Sequence, residues 1–546
     1  MARLVIVAFG IEKGLTDLLQ EHSVSGGVIS LQFNFDGLPL FKSANMELWP
    51  ILCLTKTLHR TPFVVGVYCG PKKPASVSDY LHDFIQELCS LLMNGVTCDK
   101  GRYKIEIGCF VCDAPARSFV KNIKSHNAYH GCDKCMQEGI FVNRRMTFPE
   151  INADLRKDDE FNSMTDEAHH RGSTPLSALP TGLVTSFVFD YMHLVCLGVM
   201  RKLVKFWLGG PVHCNTNDFA SKLCANSVRL LPERLMNLSS SVPREFARRP
   251  RSVAEIDRWK ATEFRQLLLY TGPVVLHGIL AEPTYNHFML FCIGITLLIS
   301  DRFCLIYNDY AKSLLNLFVE QARHRYGEDF IVYNIHGLTH LAADVKRHGS
   351  LDHCSAFPFE NKLKDLKRLV RKPGYPLPQI IRRLSEERAA FKQGKTSRAG
   401  GTACSVFGKL EHCDGPLPIN YEHAAQFLQL NTDCYKLNIR KSSDSCVLVR
   451  NVGPVVVVNI LSVSGTWCIV YKLFNQVADL FEYPLLSSSL GIYKVSGSIK
   501  KLCVCDVSDV LSKCVLLPVP HQSGLHKDKL TFAVIPIVHT LLDERN

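Results

Sequence analysis

Two apolar runs that each stop on an aspartate constrain this chain more than any other feature. VISLQFNFDG (28–37) closes on Asp36 before a glycine, and IEIGCFVCDAPAR (105–117) closes on Asp113 before Ala-Pro. A carboxylate at a strand's end points into the open rather than into the sheet. Between the two runs lie strand-like segments at 48–54 and 63–69. An amphipathic helix follows at roughly 77–94, with Val77, Leu81, Phe84, Ile85, Leu88, Leu91 and Leu92 at helical spacing. The order of three strands, a helix and a fourth strand (104–112) predicts an α/β sheet in which the Asp36 and Asp113 strands are central neighbours. The first 26 residues read as a short helical lead-in.

A third carboxylate, Glu360, opens a basic helix at about 359–371 within FPFENKLKDLKRLVRKP, and a second helix follows through about 376–392. Two strand-end carboxylates and one on a later helix suit a pair of divalent cations roughly 3.5–4 Å apart, which clamp the attacking and leaving oxygens of a phosphodiester. Ribonuclease-H-like nucleases are built this way, so the expected fold class is an α/β, RNase-H-like mixed sheet. Hard carboxylate oxygens point to two Mg²⁺ or Mn²⁺ ions held by Asp36, Asp113 and Glu360.

A second constellation is metal-like but different in kind. His130-Gly131-Cys132-Asp133-Lys134-Cys135 has the C-x2-C spacing and tight-turn glycine of a zinc knuckle. Two thiolates are half a site, and His336-Gly337-Leu338-Thr339-His340 offers the other half, because i, i+4 spacing puts both imidazoles on one helix face. Cys132, Cys135, His336 and His340 are therefore the expected ligands of a structural Zn²⁺. His126, His130, His169 and His170 are alternative imidazoles, and two unpaired thiols are the bland reading of the knuckle. Cys109 and Cys112 share the C-x2-C spacing but lie in a strand, where i and i+3 face opposite sides, which indicates core packing. The H-x3-H pair lacks the glutamate of H-E-x-x-H and so has no metalloprotease base.

Asp190-Tyr-Met-His193 lies in an apolar stretch read as helix (189–208). An i, i+3 pair shares a face, so Asp190 would fix the tautomer of an imidazole presented to a scissile phosphate, or the two would form a satisfied buried pair.

The remaining organisation follows from periodicity and composition. With 546 residues, 47% hydrophobic, the chain has material for more than one domain. We divide it into 1–135 (first part of the core), 136–335 (an α-helical insertion with no further metal-binding strand), and 336–393 (last part of the core). A linker at 394–416 and a small β-rich domain at 417–546 complete it. The longest apolar stretch, 287–300, is shorter than the ~20 residues of a membrane span and reads as a buried helix. Twenty-two scattered cysteines without a secretory signal indicate a reducing compartment. A formal charge of +12 favours a polyanionic partner. Arg117, Lys121 and Lys124 follow Asp113 on a helix, Arg144 and Arg145 follow the knuckle, and Lys362, Lys364, Lys367, Arg368, Arg371 and Lys372 follow Glu360. These are the phosphate-contact candidates, against the ordinary reading of a charged run as a solvated face.

The blocks FNFDGLPLFKSANMELWPILC, FVCDAPARSFVKNIKSHNAYHGCDKC, FDYMHLVCLGVMRKLVKFW and SAFPFENKLKDLKRLVRK resemble the transposase domain of the CACTA/Mirage/Chapaev superfamily of DNA transposons, over roughly residues 28–395. That superfamily is similar in plan to Transib transposases and the catalytic subunit of the V(D)J recombinase. The resemblance implies a DDE/D enzyme that cleaves DNA strands and transfers their 3′ ends. Asp36, Asp113 and Glu360 would be its catalytic carboxylates, and His193 an auxiliary catalytic residue from the family's D-x-x-H element. It implies DNA as partner, no nucleotide cofactor, no membrane, nuclear residence, and a homodimer that cuts two ends together. Only 35 residues precede Asp36, too few for the N-terminal DNA-binding module usual in the family. The alternative expectation is therefore a truncated or domesticated, non-catalytic DNA- or protein-binding factor.

Overall fold

The computed structural model describes residues 5–21, 26–41, 45–55, 59–209, 222–372, 374–393, 406–520 and 530–539. The protein is a mixed α/β molecule with a β-rich C-terminal sheet. It comprises two compact units: Met1–Gly198 with Asp301–Lys312 and Ala322–Ala399, and Val199–Ser300 with Ser313–Gln321 and Gly400–Asn546.

The first unit is built on an eight-stranded sheet. Its main path runs Val5–Ala8, His59–Gly70, Glu47–Thr55, Val28–Phe35, Gly101–Cys112 and Phe187–Phe189. The first three junctions are antiparallel. The last two are parallel: Phe33 pairs with Phe110 and Phe189 with Cys112. Carried one step further, these registers bring the chain out of three adjacent parallel strands at Asp36, Asp113 and Asp190. One face of the sheet is covered by the helix Val77–Asn94, whose Tyr80, Leu81, Phe84, Leu88 and Leu91 are buried. Ser76 caps that helix by accepting from the Asp79 amide. Phe33 and Phe35 meet Phe84 edge-on, and Phe110 stacks on Phe187 with ring centroids 4.6 Å apart. Each such buried ring contributes about 1.5–3 kcal/mol by leaving water. This layer therefore fixes the strand ends that carry the acids.

Four expectations need correction. The lead-in is not purely helical, since the strand Val5–Ala8 precedes the helix Ile11–Glu21 and pairs with His59–Gly70. The stretch 136–335 is not free of core strands: Phe187–Phe189 joins the sheet, and Ile140–Val142 with Arg145–Thr147 forms a hairpin. Asp190 consequently stands at a strand end rather than inside a helix, and His193 belongs to the π-helix Met192–Met200 that follows. The linker of 394–416 lies outside the described residues to 405, and beyond that it carries the strand Phe407–His412.

The second unit combines helices from Val199–Ser300 with the C-terminal strands. The helix Glu282–Ile299 is buried on nearly every face, as its apolar composition requires. No helix among the described residues is long and apolar enough to cross a membrane. The eleven-stranded sheet is antiparallel throughout its named pairs, and Lys513 is enclosed beneath it with Glu245 and Asp444.

Candidate active site and metal centre

Three carboxylates converge where the parallel strands end. Asp36 follows the last residue of its strand, and the next residue, Gly37, sits so close to the Trp49 ring that a Cβ there would come within 2.9 Å of it. The Gly37 amide donates to Asp36 Oδ1 at 2.7 Å. Asp113 is the N-cap of the helix Ala114–Val120, its Oδ1 accepting from the Ala116 amide at 2.7 Å. Glu360 sits in the first turn of the helix Phe357–Leu369.

The charges of these groups are felt mutually. Burial first, then the neighbouring Asp113 and Glu360 charges, push the Asp36 carboxyl well above the usual carboxylate range. Glu360 is likewise raised by burial, and a hydrogen bond links it to Asp36. The nearby His193 offsets only part of this, since Asp36 and Glu360 both stay raised, and closely packed carboxylate oxygens are a ligand set that suits a hard divalent cation.

Asp190 and His193 complete the site. The Asp190 carboxylate is 3% exposed and accepts from the amides of Met192 (3.2 Å), His193 (2.8 Å) and Ala356 (2.7 Å). It also pairs with His193 Nδ1 at 2.7 Å, leaving Nε2 of that ring 3.6 Å from Glu360 Oε1. One buried carboxylate thus orients the imidazole and fixes the start of the Glu360 helix. Burial works against the His193 cation, but Asp190, Glu360 and Asp36 outweigh it and raise its pKa to about 9.

The second constellation assembles as a separate cluster. Cys132, Cys135, His336 and His340 are buried, with one ligand atom from each lying within 4.8 Å of all the others. Cys132 Sγ is 3.6 Å from His340 Nε2, Cys135 Sγ is 3.2 Å from His336 Nε2, and the two Nε2 atoms are 3.1 Å apart. A tetrahedron with zinc–sulfur bonds of about 2.3 Å and zinc–nitrogen bonds of about 2.0–2.1 Å separates its donors by roughly 3.3–3.8 Å, so these four residues fit such an ion. Burial disfavours the Cys132 thiolate, yet a hydrogen bond from Cys135 and the two imidazoles hold it well below the ordinary thiol range. The same hydrogen bond pushes Cys135 up.

Around this cluster lies a buried ionic shell that no motif announces. Asp133 pairs with Arg117, whose Nη2 donates to Tyr333 Oη at 2.5 Å. Lys134 Nζ lies 2.6 Å from Asp344 Oδ1, and Asp344 Oδ2 accepts from the Phe189 amide at 2.8 Å. The knuckle is thereby tied to the strand that delivers Asp190.

The phosphate candidates divide sharply. Arg117 and Lys121 are 2% and 0% exposed and therefore face the interior, a correction to their expected role. The helix they share is covered on that side by Asp133, Phe161 and Phe187. Arg144 and Arg145 are exposed, Arg145 lying 4.0 Å from Asp329. Lys364, Lys367, Arg368 and Arg371 are exposed along and just past the Glu360 helix. Lys367 Nζ donates to the Pro39 carbonyl at 2.6 Å, which ties this helix to the segment after Asp36. Cys109 and Cys112 are buried core residues.

A family model described as a domain of unknown function (DUF8592) matches residues 411–537, within the C-terminal sheet. No curated protein matches the chain.

Proposed function

We propose that the first unit is an RNase-H-like DDE/D nuclease core of the CACTA-transposase type, which cleaves DNA strands and transfers their 3′ ends. The observation that carries this reading is the convergence of Asp36 and Asp113, from adjacent parallel strand ends, with Glu360 from a later helix. The sheet order supports it, since beyond the edge strand Val5–Ala8 it runs through three antiparallel strands and then two parallel additions, the arrangement an RNase-H-like core requires.

Asp36, Asp113 and Glu360 would hold two Mg²⁺ or Mn²⁺ ions, which when bound supply Lewis-acid stabilisation of the attacking and leaving oxygens of a phosphodiester. The chain's own part is to hold the three carboxylates in place before substrate arrives, through Ala116, Gly37 and the Asp190–Ala356 bond. In hydrolysis, water oxygen bonds to phosphorus as the bond to the 3′ oxygen breaks, leaving a 3′-hydroxyl and a 5′-phosphate. Strand transfer repeats the exchange with that 3′-hydroxyl as nucleophile. His193, held cationic by Asp190, presents Nε2 beside Glu360 and so offers a proton or hydrogen bond at the scissile phosphate. The exposed bases of the Glu360 helix would hold the flanking phosphates. Zn²⁺ in the Cys132, Cys135, His336 and His340 cluster would be structural. Nuclear residence and a dimer acting on paired ends go with this reading.

The test is cleavage of end-labelled duplex DNA by the full chain with Mg²⁺ or Mn²⁺, beside Asp113→Ala. Metal-dependent nicking that disappears in the variant is expected, and equal cleavage by both proteins would sink the assignment.

A further inference from the structure

A groove of about 1140 Å³ opens in the first unit beside the helix that Asp113 caps. Phe119, from that helix, lies in its wall, with Tyr68 and the helix start at Ser76 and Val77. Lys72, Lys73 and Arg171 also line it, and no acidic residue is found among its described lining residues. Lys73 Nζ stands 5.3 Å from the Phe119 ring centroid. The groove therefore combines an apolar wall with a charge of one sign, which is complementary to a chain of phosphates.

Its rim carries the most exposed aromatic of the described chain. Tyr375 is 85% exposed, and its backbone sits at φ 51°, a left-handed conformation that a bulky side chain rarely adopts. The loop is held there by one side chain. Gln379 Oε1 accepts from the amides of Arg371 (3.1 Å) and Lys372 (3.2 Å), and its Nε2 donates to the carbonyls of Lys372 (2.9 Å) and Gly374 (2.7 Å). A solvent-exposed tyrosine gains nothing for folding from this arrangement. Strain at an over-determined backbone position belongs with function rather than packing. An exposed aromatic ring on a loop with a fixed backbone, lining the same groove as three cations, is a platform for stacking a base while its phosphates meet lysine and arginine.

We propose that this groove binds an unpaired stretch of DNA strand, with a base stacked on Tyr375 and phosphates on Lys72, Lys73 and Arg171. The choice of DNA as the polyanion rests on the nuclease reading above. Unpaired rather than duplex DNA follows from the aromatic platform, because paired bases show their faces only to each other. A strand-cutting site would generate such single-stranded ends within reach of the Asp113 helix.

The experiment is fluorescence anisotropy of a labelled oligothymidine of about 12 nucleotides with the full chain without added Mg²⁺ or Mn²⁺, in an Asp113→Ala background so that no cleavage intervenes. Tyr375→Ala should weaken binding about 5- to 150-fold, and Tyr375→Phe should restore it because stacking is kept. Lys72→Ala with Lys73→Ala should reduce the slope of log affinity against log salt by about 1.4, at roughly 0.7 for each single-strand phosphate. Duplex affinity should be unchanged by Tyr375→Ala. Wild-type affinity in Tyr375→Ala, equal losses for duplex and single strand, or tighter binding of oligouridine would overturn the proposal. Because binding is read without catalysis, single-strand affinity that depends on Tyr375 in a protein that never cleaves would reject the nuclease and keep the groove.

Discussion

His193 Nε2 lies 3.6 Å from Glu360 Oε1 although 167 residues separate the two, and both are positioned by the Asp190 carboxylate. This makes Asp190 and His193 separable by mutation. His193→Ala removes a ring that contributes to the site but leaves Asp190 with three amide donors. DNA cleavage should then fall about 10²- to 10⁴-fold, the usual range for a positioned proton donor, with little change in melting temperature. Asp190→Ala leaves buried amides at Met192, His193 and Ala356 without their acceptor, at about 1–3 kcal/mol for each unsatisfied group. It should lose cleavage and stability together, which differential scanning calorimetry beside the nicking assay would register. A His193→Ala protein as unstable as Asp190→Ala would contradict this division.

The Cys132, Cys135, His336 and His340 cluster makes a metal-content prediction. Inductively coupled plasma analysis of the purified chain should find one zinc per molecule, absent in Cys135→Ser and in His340→Ala. Structural zinc in small sites is worth about 10–16 kcal/mol of apparent binding free energy, so its loss should lower the first unit's stability by several kcal/mol. Hydrogen exchange along the strand Gly101–Cys112 should accelerate in both variants and on chelation. Full zinc content in either variant would reject the ligand set.

Lys121 sets up a pH dependence of known sign. It is fully buried between Phe161 and Phe187, its Nζ 4.7 and 5.4 Å from their ring centroids, with no hydrogen-bond partner for that nitrogen among the described residues. Burial lowers its pKa to about 7, with Asp133 opposing and Arg117, Lys134 and Arg156 reinforcing the shift. The unfolded chain therefore holds more protons than the folded one between about 7 and the ordinary 10.5. Stability should rise with pH across that window, by roughly 1.4 kcal/mol for each unit. Lys121→Met removes this term, so it should stabilise the first unit at pH 6.5 by several kcal/mol and show a smaller advantage at pH 9.5. Denaturant unfolding at the two pH values, followed by exchange of Gly101–Cys112, reads the difference. A Lys121→Met protein whose advantage did not shrink with pH would refute the buried-lysine account.

What the sequence discloses here depends on whether a residue's partner is local. Asp36 and Asp113 are legible because each terminates a long apolar run, and parallel pairing of those runs brings them level. The four metal-type ligands are legible because C-x2-C and H-x3-H are complete within one turn each. Phe187–Phe189 is hidden because three apolar residues next to an apolar helix have no period of their own. Arg117 and Lys121 mislead for a related reason. Charge on a short helix reads as a solvated face, and only the knuckle's Asp133 and the rings of Phe161 and Phe187, distant in sequence, turn that face inward. The Gln379 staple that fixes Tyr375 is invisible because a glutamine's hydrogen bonds to a preceding loop leave no pattern in composition.

In the second unit, Lys513 occupies a position that no surface pattern marks. Its Nζ lies 2.7 Å from Glu245 Oε2, 2.5 Å from Asp444 Oδ1 and 2.7 Å from the Lys436 carbonyl, and the side chains of Lys513, Glu245 and Asp444 are 1%, 4% and 2% exposed. Arg244 Nε supplies a second positive charge, 3.6 Å from Asp444 Oδ2. Removing Lys513 alone leaves two carboxylates buried beside a single arginine. Lys513→Ala should therefore cost about 3–5 kcal/mol, far more than truncating its aliphatic stem would. The triple variant Lys513→Met, Glu245→Gln, Asp444→Asn keeps the volume and removes all three charges, so it should recover most of that loss. Thermal unfolding of the full chain, with hydrogen exchange resolved on Val510–Pro518, distinguishes the two. If the triple variant were no more stable than Lys513→Ala, the carboxylates left without their lysine would not be the cause of the loss.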